Sequence, residues 1–110
     1  MEALQAGKDA EARGLFQQAV KTDPSLDAAH QALGETCDKA GDEPAALAAY
    51  RAWADAGPRT PLPYNRIGEI LERRKDHRGA LDAYSKSLEI EWNQPPIIQA
   101  RSRLMLLLKQ

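Results

Sequence analysis

The feature that most constrains the fold of this chain is a repeat with a period of 34 residues. The matching positions, each 34 apart, are Leu33–Gly34 with Ile67–Gly68, Asp42 with Asp76, Ala46 with Ala80, and Tyr50 with Tyr84. One period earlier, the same alignment places Ala12, Phe16, Ala19 and Pro24 on Ala46, Tyr50, Trp53 and Pro58. A period of roughly 20–50 residues indicates supersecondary units that bury their apolar faces by stacking.

Each unit is predicted to be a pair of helices. Apolar residues recur at helical spacing through nearly the whole chain, and no segment shows sustained strand alternation. The breaks fall at Gly7, Pro24–Ser25, Gly41–Asp42, Gly57 to Pro63, Lys75–Asp76 and Asn93 to Pro96. They predict a remnant of a first helix, a helix over 9–22, helix hairpins at 27–56 and 61–91, and a last helix at 96–109. Asp42, Asp76 and Thr60 (ahead of Pro61) are predicted to cap helix N-termini.

The spaced residues resemble the pattern of the tetratricopeptide repeat family. That pattern is Leu–Gly in a first helix, Ala-x3-aromatic in a second helix, and then Pro. It is carried here by Leu33, Gly34, Ala46, Tyr50 and Pro58, and again by Ile67, Gly68, Ala80 and Tyr84. The resemblance implies an all-α fold, an α-solenoid of antiparallel helix hairpins wound into a right-handed superhelix. We expect a single domain over 1–110, divided into a partial repeat (1–24), two repeats (25–60 and 61–94) and a terminal helix (95–110).

Small and large residues alternate in a way that predicts close helix packing. Gly34 and Gly68 lie inside helices, where glycine costs about 1 kcal/mol relative to alanine, so a neighbouring group is expected to approach the backbone there. Tyr50 and Tyr84 are expected to fill the space that the small residues leave. Three positions depart from the repeat: Trp53, Trp92 and Lys75. We interpret both tryptophans as core-packing residues, and Lys75 as a replacement for a turn glycine.

Composition excludes several classes of function. Fifteen basic and sixteen acidic residues give a net charge of -1, which argues against a nucleic-acid-binding protein. A single cysteine, Cys37, cannot form an internal disulfide and favours a reducing compartment. No signal-like leader is visible, and the longest apolar run, residues 104–108, is too short to cross a bilayer. We therefore expect a cytoplasmic protein that does not insert into membranes.

No motif for catalysis, phosphate binding or metal binding is present. His30 and Cys37 lie on one helix about 10 Å apart along its axis, too far to share a metal ion. We interpret His30 as a helix-packing residue and Cys37 as a small buried residue. Asp76, His77 and Ser85 do not form a triad, because Ser85 is two turns along the same helix from His77. The sequence therefore predicts a protein that is not an enzyme and has no cofactor and no metal.

Polar residues of matching chemistry repeat along the first helices of the two hairpins, and we call this set the polar ladder. It pairs Gln31 with Asn65, Glu35 with Glu69, Asp38 with Glu72, and Lys39 with Arg73. In the last helix Gln99 continues the amide row, Arg103 replaces the acid, and Leu106 follows. The family resemblance implies that this face lines a concave groove for peptides. The alternative is a solvated helix face stabilised by ion pairs at i, i+4, such as Glu35–Lys39 and Glu69–Arg73.

Arg66 differs from the ladder because its counterpart is Ala32. It matches the arginine with which some tetratricopeptide repeat domains hold the C-terminal carboxylate of heat-shock chaperones. Leu62 stands at the clamp lysine position and Ala32 at an asparagine position, so a complete clamp is not expected. The predicted peptide-binding residues are Gln31, Glu35, Asp38, Lys39, Leu62, Asn65, Arg66, Glu69, Glu72, Arg73, Gln99, Arg103 and Leu106.

Two functions remain open from the sequence. The first is an adaptor or scaffold that binds a peptide or protein segment in the groove. The second is a structural role, in which the terminal helices mediate self-association into a homo-oligomer or extend a longer array, within a larger protein or outside one. Leu106 and Leu107 place apolar side chains on a helix face that would otherwise meet solvent, so we expect either a further segment or another copy to cover them; the alternative is a loosely exposed leucine pair.

Overall fold

The structure is a computed structural model that describes residues 2–109, with side chains from residue 7 onward. Across residues 2–109 the regular structure is α-helical throughout, so the predicted all-α fold is confirmed. The helices are α1 (Glu2–Thr22), α2 (Asp27–Lys39), α3 (Glu43–Asp55), α4 (Leu62–Arg73), α5 (His77–Ile90) and α6 (Pro95–Leu108).

The helices form two compact units that meet in sequence at Pro58 and Arg59. In unit 1 (up to Pro58), α2 packs against both α1 and α3. In unit 2 (from Arg59), α5 packs against both α4 and α6. The predicted hairpins are thus α2–α3 and α4–α5, one in each unit.

The two hairpins are held by the same contact between a glycine and a tyrosine. A Cβ atom on Gly34 would lie 2.6 Å from Cζ of Tyr50, and one on Gly68 would lie 2.7 Å from Cζ of Tyr84. Real Cβ atoms do not come that close to an aromatic carbon, so only glycine admits the ring. The predicted pairing of small with large residues is confirmed, and it brings the first helix of each hairpin close to the second.

Side-chain caps fix where the second helices start. Asp42 Oδ1 accepts the backbone N–H of Ala45 at 3.2 Å, and Asp76 Oδ1 accepts that of Gly79 at 3.0 Å, as predicted for N-cap residues. Arg13 Nη2 of α1 also donates to Asp42 Oδ2 at 2.9 Å. Because the Arg13 guanidinium stabilises the charged carboxylate, the pKa of Asp42 lies below its ordinary value. Asp42 therefore starts α3 and contacts α1.

The core of unit 1 contains a stacked pair of rings. The ring planes of His30 and Trp53 are parallel within 2°, with centroids 6.5 Å apart. Trp53 Nε1 donates to Asp27 Oδ1 at 2.7 Å, and His30 Nε2 donates to the carbonyl oxygen of Pro24 at 2.8 Å. Trp53, His30 and Cys37 are all buried, so their prediction as packing residues is confirmed.

One predicted helix start is wrong, and another differs by one residue. The chain does not break at Gly7, because α1 runs without interruption from Glu2 to Thr22. Gly7 aligns with Gly41, but the next residue is Lys8 where the hairpins have Asp42 and Asp76, so the cap that starts a new helix is missing. Thr60 Oγ1 accepts the N–H of Leu62, the first residue of α4, at 3.3 Å as predicted, although the N-cap position of that helix is Pro61.

The prediction that Trp92 packs in the core is also wrong, because its side chain is 75% exposed. Helix α5 ends at Ile90, its C-cap residue Glu91 adopts an extended conformation, and Trp92 follows in the link to α6. Gln94 occupies the inner side of that link and donates from Nε2 to Ser87 Oγ at 3.0 Å and to the Glu91 carbonyl at 2.7 Å. The link is therefore anchored by an amide, and the indole faces solvent.

Candidate functional site

The ladder residues of α2 lie on its partly exposed side in unit 1. Gln31 Nε2 donates to Glu35 Oε1 at 3.0 Å, one turn further along the helix. Asp38 and Lys39 follow at the end of α2 and are exposed. The buried residues of this helix, His30, Leu33, Gly34 and Cys37, belong to a different set of positions. Helix α2 therefore presents amide, acid and base in sequence along one side.

An exposed ion pair lies on the matching side of α4 in unit 2. Arg66 Nη1 is 3.1 Å from Glu69 Oε2 and 3.3 Å from Glu69 Oε1. The two side chains are 36% and 49% exposed, so water screens their attraction. Such a pair contributes about 0–1 kcal/mol to stability, so exchanging it for contacts with a ligand costs the fold little.

Glu72 has a different role, because both of its carboxylate oxygens bind neighbouring helices. Tyr84 Oη of α5 donates to Oε1 at 2.8 Å, and Arg103 Nη2 of α6 donates to Oε2 at 2.6 Å. Burial, followed by the hydrogen bond to Glu72, raises the pKa of Tyr84 well above its ordinary value. The Tyr84 hydroxyl therefore stays protonated and continues to donate. Glu72 connects three helices of unit 2.

Asn65 is likewise bonded within unit 2. Its Oδ1 accepts a short hydrogen bond from Ser87 Oγ, and its Nδ2 donates to Gln94 Oε1 at 2.9 Å. Ser87 is buried, so the network reaches from the face of α4 into the packing of α5. The repeat pattern does not predict this network, because its members do not recur. The positions equivalent to Ser87 and Gln94 in the preceding repeat are occupied by Trp53 and Thr60.

The structure thus divides the predicted set of site residues. Asn65 and Glu72 have polar partners on neighbouring helices, so packing explains their chemistry. The ion pair Arg66–Glu69 lies within α4, and Arg73 is exposed at the end of that helix. Leu62 is partly exposed in the first turn of α4. On α6 the exposed members of the set are Gln99, Arg103 and Leu106.

Comparison with protein families shows to which family the chain belongs. A family model described as tetratricopeptide repeat matches residues 1–61, more than half of the chain. This chain is a member of the tetratricopeptide repeat family. A search of curated proteins found no match.

Solved structures share the fold of this tetratricopeptide repeat protein at low sequence identity. The first TPR of Spaghetti (RPAP3), bound to the HSP90 peptide SRMEEVD, matches with a TM-score of 0.74 and 16% identity over 99% of this chain and 86% of that one. SycD, the type III secretion translocator chaperone of Yersinia enterocolitica, matches with a TM-score of 0.67 and 20% identity over 98% of this chain and 74% of SycD. PcrH in complex with the chaperone binding region of PopD matches with a TM-score of 0.66 and 22% identity over 98% of this chain and 81% of the matched chain.

Further features of this tetratricopeptide repeat protein bear on other kinds of site. Among the described side chains, no group of three His, Cys, Asp or Glu residues could hold a metal ion. Burial raises the pKa of the Cys37 thiol, which disfavours the reactive thiolate. None of the helices described between residues 2 and 109 has the length and hydropathy that a bilayer crossing requires. Unit 1 has an open cleft of about 550 Å³ between α1, Pro24 and His30, and no predicted site residue lines it.

Proposed function

We propose that this protein is a non-catalytic adaptor that binds a peptide or protein segment on the exposed side of α4, the first helix of the second hairpin. The observation that carries the proposal is the exposed Arg66–Glu69 pair on α4, the counterpart of the polar side of α2 that carries Glu35. Both charges can turn from each other to a ligand at little cost in stability. Relatives of the same fold were solved with an HSP90 peptide and with a segment of PopD, which supports a linear ligand.

The contacts are assigned according to which side chains are exposed. Arg66 binds acidic or carbonyl groups of the ligand, and Glu69 binds basic or amide groups. Leu62, one turn before Arg66, adds an apolar contact. Glu72 and Asn65 support this surface from behind, because they hold α4 against α5 and α6. In unit 1, Glu35, Asp38 and Lys39 present acidic and basic groups on the corresponding side of α2.

The test begins with selection of linear peptides from a random display library on the immobilised full chain. The affinity of a selected peptide is then measured by fluorescence anisotropy for wild type and for R66A/E69A. We expect an affinity loss of about tenfold or more, because a lost hydrogen bond to a charged group costs about 1.5–3 kcal/mol. Glu72 is left unchanged in this test, since its removal would also disturb Tyr84 and Arg103.

A matched control is available on α5. Lys86 Nζ and Asp82 Oδ2 form an exposed ion pair at 3.3 Å, with side chains that are 52% and 68% exposed. The variant D82A/K86A removes the same two charge types from a second helix, so it should bind the selected peptide as wild type does. Equal affinity of R66A/E69A and D82A/K86A, with unchanged helicity, would move the binding surface away from α4.

A further inference from the structure

The first and last helices of the described chain belong to opposite halves of the repeat. Helix α6 lies one period after α4, so it occupies the position of a first helix. Residues 9–21 of α1 lie one period before α3, so they occupy the position of a second helix. Between residues 2 and 109, α1 therefore has no first helix of its own repeat and α6 has no second helix. Helix α1 packs against α2, and α6 packs against α5.

Both helices expose apolar residues at positions that a complete hairpin buries. Leu71 of α4 is buried, and its equivalent on α6, Met105, is 48% exposed. Ala83 of α5 is buried, and its equivalent on α1, Leu15, is 66% exposed. A Cβ atom on Gly79 of α5 would lie 2.9 Å from Leu71 Cδ1, so the position of Met105 is one at which a first helix contacts a second.

Two differences from the α4–α5 hairpin make the exposed faces of α1 and α6 chemically complementary. In unit 2 the hairpin is closed on its polar side by the Tyr84 hydroxyl, which donates to Glu72. The equivalent of Tyr84 on α1 is Phe16, which has no hydroxyl, and the equivalent of Glu72 on α6 is Leu106. Both partners of the polar contact are therefore replaced by apolar residues, at opposite ends of the chain. A leucine facing a phenylalanine leaves no buried polar group unpaired.

The glycine of the hairpin contact also has a small equivalent residue on α6. Ser102 of α6 is equivalent to Gly68, the residue that admits the Tyr84 ring. Ser102 is exposed and small, and the aromatic ring that would face it is Phe16 on α1. The small-to-aromatic pairing that closes the α4–α5 hairpin is thus preserved between the two ends of the chain.

We infer that α6 of one copy packs against α1 of a second copy, and that the two helices together complete a repeat hairpin. The contact joins two different faces, so it is a head-to-tail association that builds rings or open chains of copies. No loop joins the two helices, and α1 is free to continue past Gly7, where a hairpin would turn. Leu106 then belongs to the contact between copies, and the peptide-binding surface proposed above keeps Leu62. The inference does not depend on peptide binding.

The test is the molar mass of the full chain, measured by sedimentation velocity and light scattering up to millimolar concentration. The molar mass of the wild-type protein should rise with concentration above the 12.1 kDa of one chain. L15E blocks the α1 face and L106E blocks the α6 face, and each variant alone should remain at the mass of one chain. Both side chains are exposed, at 66% and 64%, so circular dichroism should show unchanged helicity.

Mixing the two variants separates this association from other modes. L106E keeps an intact α1 face and L15E keeps an intact α6 face, so their mixture should give twice the mass of one chain and no larger species. W92E is the matched control, because Trp92 is exposed and apolar but lies on neither face, and it should associate as wild type does. A wild type that stays at the mass of one chain, an L15E that associates alone, or a mixture that does not pair would each overturn the inference.

Discussion

At the scale of single residues, the tightest constraint in each unit is the approach of an aromatic ring to a helix backbone. Gly34 and Gly68 give up the better helix propensity of alanine so that Tyr50 and Tyr84 can lie against the backbone. The repeat period pointed to this contact because a mid-helix glycine recurs in both repeats with an aromatic residue 16 positions further on. The sequence could not reveal which polar side chains the rings would then meet.

G34A should destabilise the protein although alanine is the better helix former. The added Cβ forces the Tyr50 ring to shift, which costs about 1–3 kcal/mol, against a gain in helix propensity of about 1 kcal/mol. We expect a lower midpoint of urea unfolding followed by circular dichroism. G14A is the control, because nothing lies within 4 Å of a Cβ at exposed Gly14 of α1, and it should raise the midpoint. Equal midpoints for the two variants would contradict the packing role.

Y84F should lower stability at neutral pH, and its effect should shrink in alkaline solution. The unfolded chain releases the tyrosine proton near its ordinary pKa of 10.0, whereas folded Tyr84 has a raised pKa and keeps its proton. The stability that this group contributes is thus fully present below pH 10 and is lost as pH rises further. The difference in free energy of unfolding between wild type and Y84F, from urea titrations, should therefore narrow above pH 10. A difference that widens there would be evidence against the hydrogen bond to Glu72.

At the scale of elements, the sequence predicted the helices well where a cap accompanied a break. Asp42 and Asp76 begin α3 and α5 as expected, because a carboxylate at the N-cap is a local signal. Gly7 did not end a helix, since the glycine had no cap after it. Trp92 is exposed because Gln94 occupies the inner side of the α5–α6 link, and a choice between two neighbouring side chains cannot be made from periodicity.

K75G should stabilise the turn between α4 and α5. Lys75 has φ 65°, the left-handed conformation that Gly41 adopts at φ 76° in the equivalent turn. Both turns are closed by a backbone hydrogen bond to the carbonyl oxygen three residues earlier. The N–H of Lys75 donates to Glu72 at 2.9 Å, and the N–H of Gly41 donates to Asp38 at 3.0 Å. A left-handed residue with a Cβ costs about 1–2 kcal/mol, so glycine should raise the unfolding midpoint. K75A, which keeps the Cβ, should show no such rise.

At the scale of the whole molecule, the fold and the site differ in how far the sequence predicts them. The fold follows from a few positions that recur at a fixed period, so structures with 16–22% identity still match it. The polar ladder recurred at the same period, yet Asn65 and Glu72 proved to serve contacts within unit 2. Recurrence marks a shared position in the repeat. Whether the side chain there meets solvent or another helix is decided by the packing of the folded chain.

Peptide specificity should therefore not follow from similarity of fold, and the HSP90 peptide SRMEEVD tests this. We expect weak binding to wild type by fluorescence anisotropy, because Leu62 stands where a carboxylate clamp has lysine. L62K places a second positive charge one helical turn from Arg66. Such a charge contributes about 1 kcal/mol, so binding should strengthen roughly fivefold.

The same peptide with an amidated C-terminus is the control for that prediction. It lacks the terminal carboxylate, so L62K should bind it no better than wild type does. Tight binding of SRMEEVD to wild type that is lost on amidation would show that Arg66 holds a carboxylate without the lysine. In that event the ligand of α4 would be a chain terminus, and the internal segments favoured by a mixed-charge surface would bind less tightly than free C-terminal peptides.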